Sequence, residues 1–277
     1  MFDAKLYEKF QLPFYVTARE ILSDYGHLIK WPKKQTSTQV MKILDAGCGE
    51  GTSTVKIFQE FVTKNVENYQ IVGVDFSEEM ISTAKEKYHC EKNCEFEQMD
   101  LSLDTFPDKY IEHFDLIYSM YCLNFVATTN WIKNFYEMLK PSGQIFFATT
   151  VTDWFMGKFL MVNQREEFQK YQNTTNWNTP FFTKANIDEW LKSLLKNAGF
   201  KNITIQHNET TVKFLNKDFF SAFIRSFTTS HSNLPTNLVD VYINEVVEEF
   251  VNQSTKLYGS SSEIIARIPR ILVFAEK

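Results

Sequence analysis

The chain has 277 residues, of which 44% are hydrophobic, so it is long enough to bury a sizeable core in one large α/β domain or two small ones. Its formal net charge is −5 and no cluster of Lys and Arg stands out, which argues against nucleic acids and anionic membranes as partners. Phenylalanine is unusually frequent, with 26 residues against nine glycines, and part of this excess could line an apolar pocket for a small molecule.

The cysteines and the N-terminus argue against several other classes of protein. Cys48, Cys90, Cys94 and Cys122 follow no disulfide framework. His89 with Cys90 and Cys94 is too short and local a set to predict a metal site, so we expect no metal. The first residues lack the apolar core of a signal peptide, and no apolar run approaches the length of a membrane span. We therefore expect a cytoplasmic protein.

Strand and helix patterns alternate through the first 150 residues. A helix over 3–29, interrupted at Pro13, precedes short apolar strands, which we expect over 40–47, 70–77, 94–100, 114–121 and 143–151. Helical spacing fills the intervals at 52–64, 78–88 and 128–140. Ser77 is a good N-cap for the second of these helices. This alternation is typical of an α/β fold with a doubly wound, mostly parallel sheet.

The rest of the chain adds a helix over 184–198 and strands over 201–214 and 270–277, which brings the expected sheet to seven strands. The intervening segments and the N-terminal helix are rich in aromatic residues. We expect one domain over 1–277, in which a core at about 38–151, 184–214 and 268–277 is covered by a helical lid made of residues 1–30, 152–183 and 215–267.

A glycine-rich turn, LDAGCGEG at residues 44–51, follows directly from the first predicted strand. In open α/β sheets, ligands bind at the carboxyl ends of the strands, and glycine lets a ligand lie against bare backbone. The G-x-G-x-G spacing differs from the G-x-G-x-x-G spacing of dinucleotide-binding turns, which argues against a nicotinamide-dependent oxidoreductase. We expect Glu50 to be a solvated residue of this turn.

The glycine-rich turn resembles motif I of the class I S-adenosylmethionine-dependent methyltransferases. This resemblance implies S-adenosylmethionine as cofactor and S-adenosylhomocysteine as product. It continues at the ends of the next three strands: Asp75 would accept from the ribose diol, Asp100 from the adenine amino group, and Ser119 would lie along the methionine part. Taken alone, Asp75 could instead only cap helix 78–88. The expected cofactor-binding residues are Asp45, Gly47, Cys48, Gly49, Gly51, Asp75, Phe76, Ser77, Asp100, Leu101 and Ser119.

The whole chain is similar to the insect juvenile hormone acid methyltransferase family. The similarity lies in LYEK at 6–9, IKW at 29–31, the glycine-rich turn, VDFSEEMI at 74–81 and the long helical insertion before the last strand. It implies methylation of lipid-like carboxylic acids, which the family holds with a glutamine on the N-terminal helix and a tryptophan after the fourth strand. Here Phe14 stands at the glutamine position, with Gln11 one helical turn earlier, and Phe125 stands at the tryptophan position.

These two exchanges bear on the acceptor. Burying a polar group without a hydrogen bond is unfavourable by roughly 2–7 kcal/mol, and burying an ionised carboxylate in this way is more unfavourable still. Phenylalanine supplies no hydrogen-bond donor. We therefore favour a small aromatic hydroxyl over a carboxylic acid such as juvenile hormone acid or farnesoic acid, while Gln11, Tyr15 and Asn124 could still support an acid. A nitrogen acceptor also stays open. The expected substrate-binding residues are Gln11, Phe14, Tyr15, Tyr121, Asn124, Phe125 and Trp154.

A phenol benefits from a general base, because its ordinary pKa is about 10. Of the five histidines, His231 lies in the predicted lid and is our candidate base. The alternative is that His231 is an ordinary surface-loop histidine and that the proton passes to solvent or to a tyrosine. The main interpretation from another class is a non-catalytic module that binds the cofactor or a hormone on the same fold.

Overall fold

The topology of the sheet determines where the glycine-rich turn lies, at the carboxyl ends of the parallel strands. In a computed structural model, the chain is described over residues 12–32, 40–151, 155–171, 179–214, 216–231, 233–259 and 264–277. The strands are β1 (Met41–Ala46), β2 (Tyr69–Asp75), β3 (Cys94–Gln98), β4 (Phe114–Met120), β5 (Leu139–Thr150), β6 (Lys201–Phe214) and β7 (Ile264–Glu276). They form a seven-stranded sheet in the order β3-β2-β1-β4-β5-β7-β6.

The strand order places a topological switch point at β1. From β1 the chain adds β2 and β3 on one side, then crosses over to add β4 and β5 on the other. These five strands are parallel, whereas β7 runs antiparallel to both β5 and β6. The loops after β1 and β4 therefore leave the sheet in opposite directions and open a crevice between them, where ligands of such sheets bind. The expected fold class is confirmed.

The helices lie on both faces of the sheet and beyond its β6–β7 end. They are α1 (Leu12–Tyr25), α2 (Gln59–Asn65), α3 (Glu78–Lys87), α4 (Asn130–Met138), α5 (Phe155–Asn163), α6 (Glu166–Gln169), α7 (Pro180–Thr183), α8 (Ile187–Ala198), α9 (Lys217–His231) and α10 (Thr236–Tyr258). A π-helical segment, Thr54–Phe58, leads into α2. Among these described helices, none has the length and apolar character to cross a membrane.

Two strand boundaries differ from those expected. β7 begins at Ile264 and not at 270, because its first half pairs with β6, with Ile264 opposite Phe214. Proline usually breaks a strand. Pro269, however, lies one residue beyond Arg270, the last β7 residue that pairs with β5, where a missing N–H is tolerated. β5 begins at Leu139 and not at 143, because Leu139 pairs with β4 ahead of a bulge. The first part of the expected helix over 3–29 lies outside the described residues.

Three hydrophobic clusters account for much of the aromatic content. The first lies under α1, α2 and α3, and the second lies under α4 and α8 on the opposite face of the sheet. A third, which we call the aromatic cluster, joins α5, α9 and α10 to the extended halves of β6 and β7. Its buried phenylalanines are Phe159, Phe168, Phe182, Phe214, Phe220, Phe223 and Phe250. Much of the phenylalanine excess therefore fills a core between segments expected to form the lid.

Candidate cofactor and acceptor site

The glycine-rich turn presents bare backbone at the end of β1. Gly47, Gly49 and Gly51 adopt φ values of 87°, 57° and 84°, a region that L-residues with side chains rarely enter. A Cβ on Gly47 would come within 2.2 Å of the Cys122 Sγ atom, so this position cannot carry a side chain. The turn is anchored to β2, because the backbone N–H groups of Gly47 and Cys48 both donate to Val74.

Asp75 connects the turn to the start of α3. Its Oδ2 accepts from the Gly49 N–H at 3.1 Å, and its Oδ1 accepts from the Ser77 N–H at 3.0 Å. Burial raises the pKa of the Asp75 carboxyl, although the backbone N–H groups oppose that rise. The N-cap of α3 is Ser77, whose Oγ accepts from the Met80 N–H at 3.3 Å. Asp75 is thus not the cap of that helix. Its carboxylate, which can accept about four hydrogen bonds, takes backbone N–H groups of Gly49, Phe76 and Ser77 and has capacity left for a ligand hydroxyl.

The end of β3 extends this edge on the far side of Asp75. The Met99 N–H donates to the Asp75 carbonyl at 2.9 Å, which sets the two strand ends side by side. Phe76 is 59% exposed, unusual for so large an apolar ring. Asp100 is exposed and accepts from the Ser102 N–H at 2.8 Å, while Leu101 is buried. An exposed ring beside bare backbone and a carboxylate suits a flat, amino-bearing heterocycle.

Asp45 and Ser119 lie deeper than the ligand-facing edge. Asp45 accepts from the Thr54 hydroxyl at 2.7 Å and is 3% exposed. Burial raises the pKa of its carboxyl to about 7, and the nearby carboxyl of Asp75 adds to the rise. The Ser119 hydroxyl donates to the Ala46 carbonyl at 2.7 Å, so its side chain ties β4 to β1 and only its backbone is available along the crevice.

Glu50 is a buried carboxylate, so the expectation of a solvated turn residue is wrong. It is 2% exposed. Its Oε1 accepts from the Tyr15 hydroxyl at 2.5 Å, and its Oε2 accepts from both the N–H and the hydroxyl of Thr52. The Lys87 ammonium lies 3.6 Å from the same oxygen. The sequence gives no local sign of this burial, because the partner Tyr15 lies 35 residues away along the chain.

The cysteines carry no evident chemistry. All four are free thiols. Burial raises the pKa of both Cys48 and Cys122, which lie near the Asp45 and Asp75 carboxyls, and burial raises that of Cys94 to about 12. Thiolates are the reactive form of cysteine, so these side chains are inert. Among the described residues, His, Cys, Asp and Glu form no group of three or more that could hold a metal ion.

The expected acceptor residues Phe14 and Phe125 converge on the aromatic cluster. Both rings pack against it, and the Phe14 ring centroid lies 5.7 Å from that of Phe223. Phe14 also lies 5.0 Å from the ring of Tyr121, the residue that follows β4. The structure thus brings together the N-terminal helix and the loop after β4, as the family resemblance implies. We call the rings of Phe14, Tyr121 and Phe125 the aromatic wall.

The Tyr121 hydroxyl is held from two sides. It donates to the Thr17 Oγ1 at 2.9 Å and accepts from the Arg270 Nη1 at 3.0 Å. Arg270 is 2% exposed, and it also donates to the Asn208 Oδ1. Burial raises the pKa of the Tyr121 phenol, so this hydroxyl is a poor base. Arg270 is a functional candidate that the sequence does not indicate, because a single arginine inside an apolar strand gives no sign of its partners.

Asn124 lies in a short 3₁₀ turn, Leu123–Phe125, directly after β4. It is 1% exposed and contacts Thr149 and Thr179 through hydrogen bonds. Gln11 and Trp154 lie outside the described residues. His231 ends α9, but its side chain is not among those the structure describes, so its role as a base stays a prediction.

Comparison with known sequences decides the family. The sequence model of the methyltransferase domain family matches residues 37–199, more than half of the chain. The chain belongs to the methyltransferase domain family. It is a class I S-adenosylmethionine-dependent methyltransferase, so the expected enzyme class and cofactor are confirmed. The turn fits this cofactor, because its positive-φ glycines leave backbone bare and the Asp75 carboxylate borders it.

Similar proteins are methyltransferases of several kinds. Juvenile hormone acid O-methyltransferase of Drosophila melanogaster is 23% identical over 259 residues, which cover 89% of this chain and 81% of that protein. Ubiquinone biosynthesis O-methyltransferase of Coxiella burnetii is 27% identical over 169 residues, 60% of this chain and 67% of the relative. The solved structure of Haemonchus contortus phosphoethanolamine N-methyltransferase 2 with S-adenosyl-L-methionine has a TM-score of 0.56 at 19% identity, covering 99% of this chain and 56% of that one.

Proposed function

We propose that this enzyme transfers the methyl group of S-adenosylmethionine to an oxygen atom of a small apolar acceptor, and to a neutral aromatic hydroxyl more readily than to a carboxylate. The observation that carries the proposal is the packing of Phe14 and Phe125 against the aromatic cluster. These rings stand where the family resemblance implies two carboxylate donors. The two similar sequences described above are both named O-methyltransferases, which supports an oxygen acceptor.

The aromatic wall favours a neutral, flat acceptor. Phenylalanine rings offer no hydrogen-bond donor, and the Tyr121 hydroxyl already donates to Thr17. An ionised carboxylate buried against such a wall would keep lone pairs unsatisfied, which is more unfavourable than burying a neutral hydroxyl. An aromatic ring would instead gain offset or edge contacts with Phe14 and Phe125.

The cofactor, when bound, supplies a methyl group on a sulfonium that is a good leaving group. The acceptor oxygen would take this methyl group as the carbon–sulfur bond breaks, and the hydroxyl proton would leave to a base or to solvent. The protein's task is to align the two reactants and exclude water. We assign the first part to the glycine-rich turn with Asp75, and the second to α1 and the aromatic cluster, which act as a lid. The proton passes to His231 or to solvent.

A carboxylic acid acceptor is the second candidate. The similarity to juvenile hormone acid O-methyltransferase extends over 89% of this chain and favours it. The Asn124 side chain carries amide donors in the turn after β4, whereas the Tyr15 hydroxyl on α1 already donates to Glu50. In this alternative the ionised acid needs no base, because the carboxylate is itself the nucleophile.

Matched acceptors test the proposal. Naphthol and naphthoic acid share one ring system, as farnesol and farnesoic acid share one chain, and tetrahydroisoquinoline offers a nitrogen. With S-adenosylmethionine as donor, release of S-adenosylhomocysteine should show kcat/KM at least about tenfold higher for naphthol than for naphthoic acid, a difference of about 1.4 kcal/mol. Faster turnover of both acids would favour the second candidate. Turnover of the amine alone would show that the acceptor atom is not oxygen.

A further inference from the structure

Asn124 is a buried polar residue between the glycine-rich turn and the aromatic wall. Two residues before it, Cys122 lies against Gly47 of the cofactor turn. The next residue, Phe125, packs on the aromatic cluster. Asn124 itself is 1% exposed, although asparagine is mostly a surface residue. Its position is therefore the junction of the cofactor turn and the aromatic wall.

Three of the four polar groups of Asn124 are engaged. Its backbone N–H donates to the Thr149 Oγ1 at 3.2 Å, and the Thr149 hydroxyl donates back to Oδ1 at 2.5 Å. Its backbone carbonyl accepts from the Thr179 hydroxyl at 2.8 Å. The Thr149 Oγ1 atom accepts the backbone N–H of Asn124, so the hydroxyl proton of Thr149 is donated to the amide oxygen of Asn124. This reciprocal pair fixes the amide and places Nδ2 on the side away from Thr149.

The amide nitrogen is the group left over. Nδ2 carries two N–H donors, and within the described residues no acceptor makes a hydrogen bond to it. Among the described residues, Nδ2 is not one of the fully buried polar atoms that lack a partner, so this donor reaches an opening next to the cofactor turn and the aromatic wall. A donor held in place there is available to an acceptor atom that must be kept in line with a methyl group.

We propose that the Asn124 Nδ2 atom binds and orients the acceptor oxygen, so that Asn124 takes over the donor role which the family resemblance gives to a tryptophan at position 125. The inference rests on the proposed function. A hydrogen bond from Nδ2 occupies one lone pair of the oxygen and leaves another for the methyl carbon. It also determines specificity. A single amide suffices for a neutral hydroxyl, leaves a carboxylate partly unsatisfied, and repels a protonated amine, which has no lone pair to offer.

The substitution Asn124→Asp tests the donor and keeps the shape. The aspartate retains an oxygen for the Thr149 hydroxyl but replaces both N–H donors with an acceptor. Binding of naphthol to the enzyme saturated with S-adenosylhomocysteine should weaken by about tenfold or more at about pH 8, by calorimetry. S-adenosylhomocysteine affinity should not change. Binding should recover as the pH is lowered, because a protonated carboxyl regains a donor, a signature that a purely structural role would not produce.

Asn134→Asp is the matched control. Asn134 on α4 is also buried, at 3% exposure, but its Nδ2 donates to the Leu103 carbonyl. This variant should lose stability and keep its naphthol affinity. A second variant, Thr149→Val, removes the hydroxyl that orients the amide and should weaken naphthol binding by a smaller factor. It covers the case in which Asn124→Asp does not fold.

The outcomes separate this inference from the proposed function. Wild-type affinity for naphthol in Asn124→Asp, or in Thr149→Val where the first variant does not fold, would overturn the role of Asn124 and leave the proposed function intact. Parallel losses of naphthol affinity, cofactor affinity and thermal stability, with no recovery at low pH, would also overturn it. If the wild-type enzyme binds neither naphthol, farnesol nor the two acids, the proposed function fails first and the inference falls with it.

Discussion

The Tyr15 hydroxyl on α1 donates a hydrogen bond of 2.5 Å to Glu50 in the glycine-rich turn. The contact joins the N-terminal helix, which carries Phe14 of the aromatic wall, to the turn that borders the cofactor. The other Glu50 oxygen is held by Thr52, so the carboxylate is fixed in both directions. The position of α1 and the shape of the turn are therefore coupled through this contact.

Removing the hydroxyl should uncouple the two elements. Tyr15→Phe leaves a buried carboxylate oxygen without its donor, so we expect a loss of about 1–3 kcal/mol in the free energy of unfolding. In a double-mutant cycle with Glu50→Leu, which has no acceptor, measured by chemical denaturation, the two losses should not add, because both variants break the same contact. Tyr258→Phe is the control, since Tyr258 is 42% exposed at the end of α10 and should tolerate the change. Strict additivity would show that the contact carries no energy.

The glycine-rich turn and the polar contacts around it differ in how far the sequence predicts them. The turn, the parallel strands and the Ser77 cap follow from local patterns of a few residues, and the structure has each of them, with β5 beginning earlier than expected, at Leu139. The Tyr15–Glu50 and Tyr121–Arg270 contacts join residues 35 and 149 positions apart. Such pairs depend on the packing of whole elements and leave no local periodicity. The turn context alone therefore predicts a solvated Glu50, whereas the contact with Tyr15 buries it.

Asp75 should be essential for cofactor binding. Its carboxylate shapes the turn through the Gly49 N–H and is placed to accept from the ribose diol. We expect Asp75→Ala to weaken S-adenosylhomocysteine binding by about 100-fold, or roughly 2.7 kcal/mol, in calorimetry. Asp100→Ala, at the exposed end of β3, should have a smaller effect, because only the adenine amino group would lose a partner. Unchanged affinity in Asp75→Ala would remove this residue from the site.

Asp45 should make stability depend on pH. Burial raises the folded-state pKa of its carboxyl from 3.8 to about 7. Between these values the folded protein holds a proton that the unfolded chain has released, so this group's contribution to stability falls as the pH rises from about 4 to about 7. Asp45→Asn does not titrate. As the pH rises from about 4 to about 7, the free energy of unfolding of Asp45→Asn should therefore increase relative to that of the wild type, by up to about 4 kcal/mol.

Urea denaturation at a series of pH values measures this difference, with Thr54→Val as the companion variant. The Thr54 hydroxyl donates to Asp45 and lowers its pKa, so its loss should raise the pKa further and extend the fall in stability to higher pH. Subtracting the wild-type curve removes the other titrating groups, which are shared by the variants. A pH-independent difference between Asp45→Asn and wild type would mean that folding does not raise the pKa of the Asp45 carboxyl.

The substitution Phe125→Trp should shift the acceptor preference toward acids. An indole N–H adds a donor at the end of the aromatic wall, and donors are what a carboxylate lacks there. We expect the ratio of kcat/KM for naphthoic acid over naphthol to rise by about tenfold, which is about 1.4 kcal/mol. Adding Phe14→Gln should raise the ratio again but reduce stability, because the Phe14 ring packs on Tyr121 and Phe223.

Phe125→Leu distinguishes the added donor from a mere change of shape. Leucine keeps the position apolar and adds no donor, so turnover of naphthol and naphthoic acid should fall together and their ratio should stay constant. The ratio of kcat/KM for naphthoic acid over naphthol in the wild-type enzyme is the strictest test of whether the aromatic wall disfavours a carboxylate. If the native enzyme already methylates naphthoic acid faster than naphthol, then Phe14 and Phe125 do not disfavour a carboxylate, and its donors must come from residues other than those at the two positions that the family uses.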